Sequence, residues 1–123
     1  MPTIAHFDLP ANDIDRAKEF YTELFDWKFE KVPGPLDYYF IETESLEGEK
    51  GVGGGMGLRG SPEQRITNFI EVASVEDYCT RVEKLGGTVL QPKMPVPGWG
   101  HLAVCMDTEE NTFGLWEVDE NAA

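Results

Sequence analysis

The feature that most constrains the fold is an internal repeat, because the pattern of the first 24 residues returns 61 positions later. Apolar residues recur at helical spacing in both copies, with Ile14, Ala17, Tyr21 and Leu24 falling on Val75, Tyr78, Val82 and Leu85. A chain of 123 residues is long enough for one domain or for two small halves that share a core. The repeat therefore predicts one structural unit used twice.

Each copy begins as a strand and continues as a helix. Residues 4–9 alternate between two faces, with His6 and Asp8 on one of them, as expected for a strand in a two-faced sheet. Asn12 or Asp13 then offers an N-cap oxygen, and in the second copy Ser74 does so after a strand at residues 66–72. The agreement of strand, cap and helix register supports the repeat.

Three strands are predicted after each helix. The second copy is expected to have a turn-rich connection at Pro92–Pro97 and a frayed tail at Asp119–Ala123. The predicted strands are Trp27–Val32, Tyr38–Thr43, Gly51–Leu58, Thr88–Gln91, Trp99–Met106 and Thr112–Val118. The order strand-helix-strand-strand-strand, twice, predicts an α+β fold with modules at residues 1–60 and 61–123.

Charge limits the classes of partner. The formal net charge is −13 and the pI about 4.4, so a phosphate backbone or an anionic membrane would repel the chain. Solubility or adaptation to high salt would each account for this acidity. No apolar run approaches the ~20 residues of a membrane span, and we expect no signal peptide because Met1-Pro2-Thr3 leads straight into a predicted strand. We expect a cytoplasmic protein that binds neither nucleic acid nor membrane.

Two other features have structural interpretations. Cys79 and Cys105 lie in apolar contexts on a helix and a strand, so they are predicted to be small core residues in a reducing compartment. The glycine-rich stretch Gly51–Leu58 lacks the Gly-Lys-Ser/Thr ending of a phosphate-binding loop, and no helix follows it. A glycine-rich strand is the favoured interpretation, in which the missing side chains permit close backbone approach by a neighbour or leave open space above the sheet.

Several short motifs resemble the vicinal oxygen chelate superfamily, which includes glyoxalase I, extradiol dioxygenases and bleomycin-resistance proteins. The stretch HFDLPANDIDRAKEFY carries His6 and Asp13, and the motif Leu85-Gly86-Gly87 and the closing stretch DTEENTFGLW follow in the second copy. The chain is most similar to small glyoxalase-related proteins without an assigned activity. The resemblance implies paired βαβββ modules whose mixed sheets curl around a cavity, helices on the outer faces, and a homodimer.

In the metal-using members of that superfamily, four inward-facing positions supply His, Gln or Glu ligands. The resemblance puts the first position at His6, the second within Gly53–Met56 with Gly54 preferred, the third at Thr67 and the fourth at Gly114. Only His6 among them is a suitable ligand. We therefore expect no metal at the family position and no cofactor, unless a second subunit contributes a ligand. Glyoxalase or dioxygenase chemistry cannot be built there in its usual form.

Polar residues on the predicted cavity side are the candidates for function. His6 with Asp8 or Glu71 is a possible acid–base pair, and a hydrogen-bonded lining of a pocket is the alternative. His101 is expected to point into the cavity or to its rim if it shares a face with Trp99, Ala103 and Cys105. The predicted ligand-binding residues are His6, Thr67, Phe69, Trp99, His101 and Trp116.

Two functions fit these residues. The first is a protein that binds an apolar or aromatic small molecule, neutral or cationic because the chain is acidic, in a cleft left open by the glycine-rich strand. The second is a lyase or isomerase related to lactoylglutathione lyase that uses His6 and a carboxylate. A homodimer is expected because Gly51–Leu58 and Thr112–Val118 are predicted to leave sheet edges that favour association.

Overall fold

The computed structural model describes all residues from Met1 to Ala123, which form two compact units. The first unit is residues 6–66, and the second combines residues 1–5 with residues 67–123. The short N-terminal segment belongs to the second unit because the carbonyl of Thr3 accepts a hydrogen bond from the Glu71 amide at 3.2 Å. Neither helix of the chain is long and apolar enough to span a bilayer.

The first unit has a four-stranded mixed sheet with one helix packed on it. Its elements are β1 (Ile4–Ala11, of which the first two residues belong to the second unit), α1 (Ile14–Phe25), β2 (Lys28–Lys31), β3 (Tyr38–Glu42) and β4 (Gly53–Leu58). The strand order is β2-β3-β4-β1, with β1 and β4 parallel and the other pairs antiparallel. Asp13 caps α1 by accepting a 3.0 Å hydrogen bond from the Arg16 amide. Leu9, Ile14 and Met56 form the centre of the core between α1 and the sheet.

The second unit repeats this arrangement. Its elements are β5 (Thr67–Glu71), α2 (Val75–Lys84), β6 (Thr88–Val96), β7 (Gly100–Met106) and β8 (Thr112–Val118). The strand order is β5-β8-β7-β6, with β5 and β8 parallel and the other pairs antiparallel. Ser74 caps α2, and Gly86 ends it with a positive φ of 95°. The predicted α+β fold and the repeated βαβββ order are confirmed.

Three predictions about the strands and the tail are wrong. Strand β6 continues to Val96, because its prolines lie at the edge of the sheet and two register shifts absorb the irregular backbone. The tail is not frayed, since Ala122 is buried and its carbonyl accepts a 2.9 Å hydrogen bond from the Gly98 amide. Strands β4 and β8 each pair on both sides within their own unit, so neither is an open edge.

Candidate ligand-binding site

The sheet of the first unit has one face packed on α1 and one face that carries polar groups. Phe7, Leu9 and Ala11 of β1 point into the core beside α1. Because side chains alternate along a strand, His6 and Asp8 lie on the opposite face. Tyr38 joins them there, since it hydrogen-bonds to both. We call this surface, defined by His6, Asp8, Tyr38 and its strand neighbour Phe40, the site face.

Tyr38 connects His6 to Asp8. Its hydroxyl donates a 2.7 Å hydrogen bond to Asp8 Oδ1, and the same oxygen lies 3.1 Å from His6 Nε2. A phenol has a single proton, so His6 Nε2 must be the donor in the second contact. The arrangement therefore selects the imidazole form that carries a proton on Nε2, and Asp8 fixes that choice through Tyr38.

Burial shifts the acidity of all three groups. Desolvation lowers the pKa of His6 below 6.5, although the nearby Asp8 carboxylate opposes this shift. Desolvation also raises the pKa of Asp8 above 3.8, while the Tyr38 hydrogen bond and His6 lower it. The pKa of Tyr38 is raised by burial and then by Asp8, so its hydroxyl keeps its proton. At neutral pH, His6 is therefore neutral in its hydrogen-bonded set with Tyr38 and Asp8.

The glycines of β4 make room for two aromatic rings. A Cβ on Gly55 would overlap the hydroxyl oxygen of Tyr38, and a Cβ on Gly54 would overlap the ring of Phe7. A side chain at Gly55 would point to the site face, and one at Gly54 would point to the face that packs on α1. The predicted open space above these glycines is therefore filled by Tyr38 and Phe7, which was not expected from the sequence.

A groove of about 780 Å³ lies beside His6 in the first unit. Phe40 and Gly53 line it together with His6. Gly53 pairs with His6 in the β1–β4 register, and a Cβ there would meet only ordinary van der Waals contact. The charged residues that line the groove are Glu30, Glu42, Glu44, Lys28 and Lys50. Tyr38 and Asp8 are not among the lining residues, so they act on the groove through His6.

The other predicted site residues belong to the second unit. Ile70 of β5 and Val72, which follows the strand, pack with the residues of α2, and this places Thr67, Phe69 and Glu71 on the opposite face of that sheet. Trp116 pairs with Glu71 in the β5–β8 register and shares this face. The partnership of Glu71 with His6, and the role of these residues in ligand binding, remain predictions.

His101 is not where the sequence placed it. It shares a face of β7 with Ala103 and Cys105, as expected, but this is the face that packs on α2. Trp99 lies in the turn before β7 and its side chain is 55% exposed. The shared face was the condition of the prediction, and Trp99 lies outside the strand. Alternation alone does not say which face of a strand the helix covers, so the orientation of His101 could not be predicted from it.

The family model of the glyoxalase/bleomycin resistance protein/dioxygenase superfamily matches residues 3–115. The chain belongs to this superfamily. CFP32 of Mycobacterium tuberculosis, whose name marks it provisionally as a glyoxylase, is 27% identical over 117 residues. That match covers 93% of this chain and 45% of the relative, so the chain spans less than half the length of the curated relatives it matches.

Solved structures share the superfamily fold. A variant of methylmalonyl-CoA epimerase from Streptomyces coelicolor, in complex with 2-nitronate-propionyl-CoA, superposes with a TM-score of 0.69 at 12% identity. It covers 98% of this chain and 97% of that chain. The hypothetical protein BH1468 from Bacillus halodurans gives a TM-score of 0.68 at 16% identity, with 99% and 98% covered. At these identities the likeness is evidence for the fold alone.

The superfamily metal positions do not fit a metal in this chain. Gly54 faces α1 and the Phe7 ring, so the residue beside His6 on the site face is Gly53, which also lacks a side chain. A side chain at Gly114 would overlap the Phe69 ring, and Thr67 offers only a hydroxyl. His6 is the only suitable ligand among these positions. The position assigned to Gly54 is corrected to Gly53, and the shortage of ligands is unchanged.

Sequence reasoning missed the role of Tyr38. It was named only as the first residue of a predicted strand, although alternation in β3 separates Tyr38 and Phe40 from the core residues Tyr39 and Ile41. The residue opposite its ring, Gly55, was the available signal, because a glycine in a strand often faces a large neighbour. Cys105 is a core residue as predicted, since it is fully buried and burial raises the pKa of its thiol to about 12, whereas Cys79 is only partly buried against the same core.

Proposed function

We propose that this chain binds a small molecule with an apolar or aromatic part in the groove beside His6. The observation that carries the proposal is the hydrogen-bonded set of His6, Tyr38 and Asp8 behind a groove that Phe40 lines. A concave site with aromatic lining and one oriented polar group is typical of small-molecule sites. His6 is the polar anchor, and Tyr38 and Asp8 hold its orientation.

The charges favour a cationic or neutral ligand. Three glutamates and two lysines line the groove, and Asp8 adds a carboxylate behind His6. The whole chain carries a formal charge of −13, so an anionic ligand would also be repelled at long range. A coenzyme A ester, the ligand of the epimerase structures, is therefore disfavoured in this protein.

Titration with three benzyl compounds of different charge tests the proposal. Benzylamine, benzyl alcohol and benzoate present the same ring with a positive, neutral or negative group, and amide NMR spectra report where each binds. We expect shifts centred on His6, Phe40 and Gly53, with benzylamine and benzyl alcohol binding more tightly than benzoate. Tightest binding of benzoate would contradict the charge argument. Shifts confined to residues far from His6, or none at millimolar concentration, would contradict the site.

Proton transfer by His6 is the second candidate function. The specific observation in its favour is that burial keeps His6 neutral while Tyr38 and Asp8 fix its tautomer. A neutral, oriented imidazole can remove a proton from a carbon next to a carbonyl group, which would make the chain an isomerase or a lyase. No residue set for a Lewis acid at the superfamily position accompanies His6 in this chain.

Hydrogen–deuterium exchange separates binding from catalysis. Hydroxyacetone and 4-phenyl-2-butanone have exchangeable C–H protons and no charge, and proton NMR in D₂O follows their loss. The enzymatic proposal expects exchange above the buffer rate that His6→Ala abolishes. Exchange at the buffer rate with both compounds, together with binding of the benzyl series, would favour binding alone.

The homodimer and the cytoplasmic location remain proposals. Open sheet edges at β4 and β8 no longer support a dimer, because both strands are paired on both sides. Another reason is available on α1, where Phe20, Leu24 and Phe25 are 58%, 58% and 54% exposed. Sedimentation equilibrium at micromolar concentration tests the dimer, and Leu24→Lys is expected to shift a dimer towards monomer.

A further inference from the structure

The His101 imidazole in the second unit is 17% exposed, and one of its ring nitrogens is buried without a hydrogen-bond partner. Its Nδ1 is buried and makes no hydrogen bond. This atom lies 3.7 Å from Glu117 Oε2 and 3.8 Å from Asp119 Oδ2, both too far for hydrogen bonds. An unsatisfied buried polar atom is costly and needs an explanation. The two carboxylate oxygens on either side of it point to that explanation.

The two carboxylates are held in place by the backbone. Glu117 accepts a 2.9 Å hydrogen bond at Oε1 from the Val75 amide, the first residue of α2. Asp119 accepts one of 2.9 Å at Oδ1 from the Asn121 amide. In each case one oxygen is used and the other is the atom nearest His101. Such outer hydrogen bonds are the usual way in which proteins orient metal ligands.

We propose that the second unit binds a divalent transition-metal ion, with Zn²⁺ as its representative, between His101 Nδ1, Glu117 Oε2 and Asp119 Oδ2. These atoms lie within 4.8 Å of one another. A tetrahedral ion with bonds of about 2.1 Å holds its ligand atoms about 3.4 Å apart. To reach this value, the two distances from His101 Nδ1 must shorten by a few tenths of an ångström. The two carboxylate oxygens must approach each other by a larger amount.

The ligand chemistry favours a transition metal over magnesium or calcium. One imidazole nitrogen with two carboxylate oxygens suits zinc and its first-row neighbours, whereas Mg²⁺ and Ca²⁺ prefer oxygen alone. Three protein ligands leave the fourth position for water. This site differs from the superfamily position, because His101 is on the face that packs on α2.

The bound ion would fasten the C-terminal tail to the body of the second unit. Asp119 belongs to the tail, and its amide already donates a 2.9 Å hydrogen bond to the Trp99 carbonyl. Glu117 contacts the start of α2, and His101 belongs to β7. One ion would thus connect three separate segments, and binding to the folded state alone would raise the thermal midpoint.

Calorimetric titration of the full chain with Zn²⁺ under reducing conditions tests the site. The chain has two histidines, so His6→Ala is a matched control for His101→Ala. We expect one ion per chain, and His101→Ala should weaken binding by at least the ~100-fold that loss of an outer-shell partner can cost. His6→Ala and Cys79→Ser should retain wild-type affinity, and Mg²⁺ should bind much more weakly. Equal affinity of wild type and His101→Ala, or loss of binding in either control, would overturn the proposal.

A second variant keeps the test valid if His101→Ala fails to fold. Asp119→Asn keeps the size of the side chain and the oxygen that accepts from Asn121, and it removes only the charge. We expect it to weaken Zn²⁺ binding while the amide NMR spectrum stays native. In ¹⁵N-histidine NMR, Zn²⁺ should move the Nδ1 signal of His101 and leave that of His6 in place. Movement of the His6 signal alone would overturn the proposal without affecting the proposed groove.

Discussion

Tyr38→Phe removes one oxygen atom from the site face and should destabilise the chain by about 2 kcal/mol at neutral pH. The variant loses the 2.7 Å bond to Asp8 and the 3.1 Å bond to His6, while the ring still fills the space over Gly55. A hydrogen bond to a charged group contributes about 1.5–3 kcal/mol. The bond to His6 adds less, and partial exposure of the site reduces both values.

The pH dependence of this loss follows from Asp8. The Tyr38 hydrogen bond lowers the pKa of Asp8 against the larger opposing effect of burial, so the bond stabilises the ionised carboxylate. Its contribution is present above the folded-state pKa of Asp8, and it is lost as the pH falls through that pKa. Since that pKa is raised above 3.8, the difference between wild type and variant should already shrink before the pH reaches this value.

Urea denaturation between pH 3.5 and 7 measures this difference, with Tyr39→Phe as the matched control. Tyr39 is the next residue on β3, packs in the core on the other face, and its hydroxyl takes no part in the His6–Asp8 set. We expect the control to change the free energy of unfolding by less than ~0.5 kcal/mol. Equal losses in the two variants, or a Tyr38→Phe loss that does not depend on pH, would refute the role given to Tyr38.

Three further predictions concern the same unit. His6→Gln should reduce the pH dependence of stability below pH 6.5. Burial lowers the pKa of His6, so in the wild type the unfolded chain takes up the proton first and the folded state loses stability as the pH falls. Urea midpoints of wild type and variant that fall in parallel would contradict this. Gly55→Ala should cost about 1–3 kcal/mol, and Gly57→Ala less, since a Cβ on Gly57 would lie 3.1 Å from the Tyr38 ring; equal costs would contradict the proposed fit of the Tyr38 ring. Asp26→Gly should raise stability by up to ~1 kcal/mol, because Asp26 has a φ of 60° and a negative charge at the C-terminus of α1; a lower thermal midpoint would contradict it.

The fold was predictable because local signals and the repeat agree. The N-caps Asp13 and Ser74 and the αL glycine Gly86 each correspond to a backbone requirement that only a few residue types satisfy. The extension of β6 was not predictable in the same way. Pro92 and Pro95 indicate a break in a central strand, and only the sheet order reveals that β6 is at an edge where they are tolerated.

The site was predictable in part. Alternation placed His6 and Asp8 on the polar face, because Phe7 and Leu9 had to enter the core. The connection through Tyr38 depends on the β3–β4–β1 neighbourhood, which brings together residues 30 positions apart. The face of His101 was ambiguous for a similar reason, since its polar partners Glu117 and Asp119 come from later segments. Both features depend on pairing between strands that are distant in the sequence, and local sequence patterns do not predict that pairing.

The most direct test of the proposed groove compares ligand binding and stability in His6→Ala. His6 lies on the face of β1 away from α1, so its loss should leave the core intact. We predict that His6→Ala abolishes benzylamine binding in the NMR titration while the urea midpoint falls by less than that of Tyr38→Phe. Retained benzylamine binding, or a loss of stability large enough to account for the loss of binding, would contradict the assignment of His6 as the ligand anchor.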